Sequence, residues 1–99
     1  MPSFETGSVT PSAPDAVAVG TSSTPVVAFN YNRKGLVLIN ISANNIYLAF
    51  DNTASLHKGI ALTANGGAWS MDDYTFCVTP INAIATGADS TLVIQEFNT

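Results

Sequence analysis

From residue 16 onward the chain consists of short apolar runs, rich in Val, Ile and aromatic residues, separated by turns of Gly, Ser, Thr, Asn and Asp. Runs of this kind predict β-strands, and turn signals about every eight to twelve residues are typical of a sandwich or barrel. No window shows the 3.6-residue periodicity and caps of a helix. The runs lie at 16–19, 25–29, 36–42, 46–50, 59–62, 68–71, 74–79, 81–85 and 91–97. We therefore predict an all-β fold, a single antiparallel β-sandwich or jelly-roll-like domain of about seven to nine short strands over residues 16–99.

The first fifteen residues differ from the rest because they contain Pro2, Pro11 and Pro14 among Ser, Thr and Gly. Proline lacks an amide hydrogen and fixes φ, so this spacing excludes both a helix and a central strand. We predict an extended N-terminal arm over residues 1–15. Two interpretations stay open, an arm that becomes ordered on a partner and a frayed terminus.

The segment "RKGLVLINISANNIYLAFD", Arg33 to Asp51, predicts a β-hairpin with Asn44 and Asn45 as its turn, because Asn tolerates positive φ. Side chains alternate between the two faces of a strand, so this register places one apolar set on a single face. The set consists of Ile39, Ile41, Ala43, Ile46, Leu48 and Phe50. We expect this face to pack on the core.

The last run, 91–97, carries large apolar side chains on both faces. It therefore lies either between two layers or in a sheet whose second face meets another subunit. In the predicted strand 74–79, Tyr74, Phe76 and Val78 share a face. The segment 64–69 is predicted to be a hairpin loop, and 86–90 a loop between strands.

Charge restricts the classes of partner. The chain has a net charge of −4, and its three cations are Arg33, Lys34 and Lys58. Nucleic acids and anionic membranes need clusters of Lys and Arg, so we expect neither as a partner. No run approaches 18 apolar residues, and the N-terminus lacks the features of a secretory signal. A single cysteine, Cys77, is compatible with synthesis in a reducing cytoplasm.

Side chains that could carry catalysis are few. His57 and Cys77 are the only residues of their types, and each is more typical of a structural position, His57 in a solvated loop and Cys77 in a strand. Asp72 and Asp73 are adjacent, which favours a solvated turn over paired acid–base catalysis or a calcium loop. We therefore predict no enzymatic activity, no catalytic residue, no metal and no cofactor.

With catalysis, metal binding and nucleic-acid binding not expected, we consider binding to other protein chains. Arg33 and Lys34 are either a solvated loop or the cations of a salt bridge to a neighbour. Trp69 is either an interface anchor or a core residue. The candidate partner-interface residues are Phe4, Arg33, Lys34, Tyr47, Trp69 and Phe97.

Residues 33–97 carry a series of elements in a fixed order. They are Arg followed by "LVLINIS", then "IYLAF", "KGIAL", a Trp before a turn, "INAIA" and a closing strand with Glu. This pattern resembles small virion proteins of tailed bacteriophages. The resemblance implies a β-sandwich capsid decoration (cement) protein or head-fibre protein. Such a protein would form a homodimer or homotrimer, bridge major capsid protein subunits and lie on the outer head surface of the virion after synthesis in the host cytoplasm.

The alternative is a tail-fibre or receptor-binding module that recognises a host surface, with Tyr31, Tyr47 and Trp69 lining a shallow site. A third class, the metal-dependent barrel enzymes of the cupin type, does not fit this sequence, because such enzymes need several metal-binding histidines and the chain has one.

Overall fold

The structure, a computed structural model, describes residues 9–72 and 74–99. These residues contain strands and irregular segments but no helix, which confirms the all-β prediction. The strands are β1 (Thr10–Pro11), β2 (Asp15–Val19), β3 (Thr24–Val27), β4 (Arg33–Asn40), β5 (Ile46–Phe50), β6 (Ile60–Leu62), β7 (Ala68–Ser70), β8 (Ile81–Ala85) and β9 (Ser90–Asn98).

The strands form two antiparallel sheets. In sheet A, β9 pairs with β4 on one side and with both β1 and β2 on the other, and β4 pairs with β7. In sheet B the order is β3-β8-β5-β6. From β2 onward the chain changes sheet at every connection except that between β5 and β6. The orders β2-β9-β4-β7 and β3-β8-β5-β6 are those of a jelly roll, so the predicted sandwich of jelly-roll type is confirmed.

The core lies between the inner faces of the two sheets. Sheet A supplies Leu38 and Leu92, which have no exposed surface, and sheet B supplies Ile46 and Ile81, which are equally buried. Removing such a side chain from water contributes about 1.5–3 kcal/mol to folding. This double layer of aliphatic residues holds the loops at the two ends of the sandwich.

The predicted hairpin at Arg33–Asp51 is wrong. Strands β4 and β5 do not pair, because β4 lies in sheet A and β5 in sheet B. The inward side of β4 is also the opposite of the one predicted: Leu36 and Leu38 are buried, whereas Ile41 is 56% exposed. Ile46 and Leu48 of β5 are buried, as expected.

The observed orientation buries Asn40, a polar residue with no exposed surface. Its Nδ2 donates to the carbonyl oxygens of Asn44, Leu62 and Thr63 over 2.7–3.1 Å. Its Oδ1 accepts from the amide and hydroxyl of Ser42. Because all the amide's polar groups are paired, burial of Asn40 is tolerated, and the chain leaves sheet A at this point instead of turning back on it.

Two further sequence-based assignments are wrong. Residues 74–79 form an irregular loop instead of a strand. The segment 64–67 crosses from β6 in sheet B to β7 in sheet A and therefore does not close a hairpin. Among the described residues of the predicted arm, Thr10–Pro11 pairs with the end of β9 as strand β1.

Candidate functional site: an aromatic loop end and an uncharged sheet face

Arg33 organises one end of the sandwich from the inside. Its side chain has no exposed surface, and its Nε donates to Oε2 of Glu96 over 2.7 Å. The remaining guanidinium nitrogens donate to the carbonyl oxygens of Cys77, Thr79 and Ala28 over 2.7–3.2 Å. A guanidinium has a planar fork of donors, which suits this set of acceptors. One side chain therefore ties together the β3–β4 loop, the β7–β8 loop and strand β9.

Backbone hydrogen bonds reinforce the same junction. The amide of Asn30 donates to the carbonyl of Val78 over 3.0 Å, which joins the two loops directly. The amide of Thr99 donates to the carbonyl of Asn32 over 2.9 Å. The β3–β4 loop, the β7–β8 loop and the end of β9 consequently lie side by side.

These two loops expose four aromatic side chains. Phe29 and Tyr31 of the β3–β4 loop are 60% and 81% exposed. Tyr74 and Phe76 of the β7–β8 loop are 98% and 45% exposed. We call these four residues the aromatic end. Lys34 lies with its Nζ 5.5 Å from the ring centroid of Phe76, within the range of a cation–π contact.

The opposite end of the sandwich has a different composition. Its connections are residues 20–23, 41–45, 63–67 and 86–89. They contain no aromatic residue and consist largely of Gly, Ser, Thr, Ala and Asn. Among the residues that the structure describes, the large exposed rings are therefore concentrated on one end of the sandwich.

Asp72 shapes the β7–β8 loop. Its Oδ1 accepts hydrogen bonds from the amides of Tyr74 and Thr75 and from the Thr75 hydroxyl, over 2.9–3.0 Å. These donors, the Thr75 hydroxyl first, hold the pKa of the Asp72 carboxyl below its ordinary value. The turn keeps Tyr74 at the exposed tip of the loop. Asp73, the second acidic residue predicted for this turn, lies outside the described residues.

The outer face of sheet A is the second candidate surface. We call it the sheet A face, and it comprises the strand residues that alternate with the buried ones. Val37, Ile39 and Val93 are half-buried at its centre. A shallow groove of about 520 Å³ runs over β2, β4 and β9 between these side chains. The members are Ala16, Ala18, Gly35, Val37, Ile39, Ala68, Ser70, Thr91, Val93, Gln95 and Phe97, and none of them is charged.

The middle of the outer face of sheet B is covered by the chain itself. Residues 51–59 cross it, and Ala54 in their middle is 4% exposed, with its amide bonded to the Ser23 hydroxyl. The Asn82 side chain donates to the carbonyl of Asn52 over 2.6 Å. Ile84, although it points outward from β8, is only 9% exposed. The two outer faces thus differ, since one is covered and the other is half-exposed.

A third feature is a small apolar cleft at the β6–β7 side of the sandwich. Phe50 and Trp69 meet edge to face across it, with ring centroids 5.0 Å apart. Ile60, Thr75 and Cys77 complete a volume of about 250 Å³. This volume is below the range of about 300–1,000 Å³ that is typical of ligand pockets.

The solvated-loop interpretation of Arg33 is wrong, because its guanidinium is fully buried on internal acceptors. Lys34 beside it is exposed and lies at the aromatic end. The two cations therefore have different roles, although they are neighbours in sequence. Phe4 lies outside the described residues.

The other predicted interface residues are separated by the fold. Phe97 is a half-buried member of the sheet A face and packs beside Gly35. Tyr47 points outward from sheet B, and its hydroxyl lies 3.1 Å from Nδ1 of His57. Trp69 points inward, half-buried against the core. The predicted interface residues that the structure describes therefore lie on several surfaces and do not form one site.

The sequence does not predict Phe29, Tyr74 and Phe76 as surface residues. Phe29 ends the predicted strand 25–29, and Tyr74 and Phe76 lie in the predicted strand 74–79. The available signal is the pair of segments "FNYN" and "DDYTF", in which Asn or Asp residues lie next to aromatic rings. Asn and Asp favour turns, so aromatic residues between them are candidates for exposure.

Within residues 9–72 and 74–99, no three His, Cys, Asp or Glu side chains are grouped as metal ligands would be. The same residues contain no helix long and apolar enough to cross a membrane. Comparison with protein-family models, curated proteins and solved structures found no match to this chain.

Proposed function

We propose that the chain is a non-enzymatic capsid decoration protein of a tailed bacteriophage, which binds the outer surface of the head through its aromatic end. The observation that carries this proposal is the exposure of Phe29, Tyr31, Tyr74 and Phe76 on two loops fixed by one buried arginine. The class of particle comes from the resemblance of residues 33–97 to small virion proteins.

The physical chemistry of the aromatic end suits a protein partner. Tyr and Phe are enriched in protein interfaces, because each ring buries a large area at a low cost in conformational entropy. The Arg33 bonds to the carbonyls of Ala28 and Thr79 restrict the loops before binding. Binding then loses less conformational entropy than it would with mobile loops.

The mechanism is clamping. A decoration protein with two contact surfaces joins neighbouring shell subunits and opposes their separation under the pressure of the packaged DNA. Each contact can be weak, because a lattice offers many sites and linked sites bind with a high effective concentration. The sheet A face is the second surface available for such a bridge.

The receptor-binding alternative also has an observation in its favour. Exposed Tyr rings beside Asn side chains at a loop end combine an apolar platform with hydrogen-bonding groups, which suits recognition of a host-surface glycan. Tyr31 of the sequence-based proposal belongs to this set, whereas Tyr47 and Trp69 do not. A decoration protein is expected in many copies per virion, and a receptor-binding module in few.

Binding to undecorated heads of the phage that encodes the chain tests the proposal. We expect the Tyr31→Ser, Tyr74→Ser double variant to bind these heads at least tenfold more weakly, because loss of one hot-spot ring alone costs about 2 kcal/mol or more. Both rings are exposed, so the melting temperature should hardly change. The matched control is Leu56→Ser, an exposed apolar residue outside the aromatic end. Equal affinity of the double variant and the wild type would contradict the proposal.

A further inference from the structure

The sheet A face has the properties of a surface that meets its own copy. We propose that two chains associate through this face in a two-fold symmetric dimer. The dimer gives the second contact surface of the proposed decoration protein its partner, a second copy of the chain. Its biological meaning rests on that proposed function.

The lack of charged members makes self-association at this face possible. Each chain carries a net charge of −4, so two copies repel one another unless the surfaces in contact are uncharged. In a two-fold interface the same patch of both copies is in contact, so a charged residue near the axis would lie close to its own copy. None of the members of the sheet A face is charged, and the exposed Asp15 is the one charged residue among those that line its groove.

The sheet A face carries both an apolar projection and a groove. Ile41 follows Ile39 in the outward alternation, is 56% exposed, and its amide still bonds to the carbonyl of Thr91. An apolar projection therefore lies next to the groove over Val37 and Val93 on the same face. A two-fold rotation offers the projection of each copy to the groove of the other, as an isologous contact requires.

The area of the face suits a small interface. Strands lie about 4.8 Å apart and rise about 3.4 Å per residue, so the 25 strand residues of β2, β4, β7 and β9 present about 400 Å² in projection. The relief of the side chains raises the accessible area above this projection in each copy. Two such faces total about 800 Å² in projection, and specific interfaces begin at about 1,200 Å² of accessible surface, so the dimer interface is a small one. Packed sheets lie about 10 Å apart, which the side chains of this face can fill.

Sedimentation equilibrium and light scattering on the full chain test the dimer. We expect the wild type to have twice the monomer mass of 10.3 kDa at micromolar concentration. Val93→Lys places a charge at the centre of the face, and Ala18→Lys places one on its edge strand, where the residue is already exposed. Both variants should be monomers with the far-UV circular dichroism of the wild type. Ala18→Lys keeps the test decisive if Val93→Lys does not fold.

The matched control is Ala61→Lys, an exposed strand residue on sheet B, which should remain a dimer. A monomeric wild type, a trimer, or folded Val93→Lys and Ala18→Lys variants that remain dimers would each overturn the inference. Head binding by the same variants separates the two proposals. A dimer that does not bind heads would contradict the decoration function alone, and a monomer that binds heads would contradict the dimer alone.

Discussion

The Nε of Arg33 lies 2.7 Å from Oε2 of Glu96, and the arginine side chain has no exposed surface. One of the three cations of this chain is thus an internal tie between strand β9 and two loops. Glu96 remains 21% exposed, so the ion pair sits at the boundary between the core and the aromatic end. This position makes the stability of the fold and the order of the aromatic end depend on the same residue.

Replacing Arg33 by Met should lower the free energy of unfolding by about 3 kcal/mol, because it leaves the carboxylate of Glu96 and three part-buried carbonyls without their donor. Urea unfolding at neutral pH measures this loss. Lys34→Met removes an adjacent but exposed cation and should change the free energy by less than about 0.5 kcal/mol. Similar effects of the two substitutions would mean that the Arg33 network does not stabilise the fold.

Acid should loosen the β7–β8 loop before the sandwich unfolds. The pKa of Asp72 is lower in the folded chain than its ordinary value of 3.8, so its ionised form is stabilised by folding. This stabilisation is complete above pH 3.8 and is lost as the pH falls through the lowered folded-state pKa. Amide hydrogen exchange at Tyr74 and Thr75, corrected for its intrinsic pH dependence, should rise over that interval. Asp72→Ala should show the faster exchange already at neutral pH, whereas unchanged protection in that variant would contradict the turn.

Substitution of two glycines tests the segment 51–59 that covers sheet B, with Gly59 in that segment and Gly20 outside it as the control. Gly59 has a φ of +82°, and a Cβ there would collide with the carbonyl oxygen of Leu48. Gly59→Ala should therefore destabilise the fold by more than about 1 kcal/mol. At Gly20 a Cβ meets no atom within 4 Å, so Gly20→Ala should be neutral or slightly stabilising. Thermal unfolding of both variants checks the difference, and a Gly59→Ala variant as stable as the wild type would be the contrary result.

Asn40 provides a test of the inverted face of β4. Asn40→Ala removes the donor to three carbonyls and the acceptor for Ser42, and should cost about 2–4 kcal/mol in unfolding free energy. Asn32→Ala, at an exposed loop position, should cost less than about 0.5 kcal/mol. If β4 instead formed the predicted hairpin, Ile41→Ser would be the damaging change and Asn40→Ala the harmless one.

The sequence was informative where one residue pattern decides the structure. Ile46–Phe50 and Ile81–Ala85 are strands with the predicted bounds, because β-branched and aromatic residues lie between clear turn residues. Residues 74–79 have the same composition, but the Asp72 carboxylate stabilises a turn there that competes with a strand. Local composition cannot distinguish these two outcomes.

The rest depends on contacts between distant parts of the chain. Arg33 lies in a segment typical of a solvated loop, and its partner Glu96 is 63 residues away. Strands β4 and β5 are close in sequence, which favours a hairpin, yet each pairs with a later strand, β9 and β8. The position of the aromatic end follows from this long-range pairing, so its four rings could not be grouped from the sequence alone.

The copy number of the chain in purified virions tests the proposed function most directly. Quantitative mass spectrometry of the phage that encodes it should find the chain in a fixed, simple ratio to the major capsid protein, as expected for a protein that occupies a repeated site on the head. Its absence from the virion, or its presence in only a few copies per particle, would contradict the decoration function.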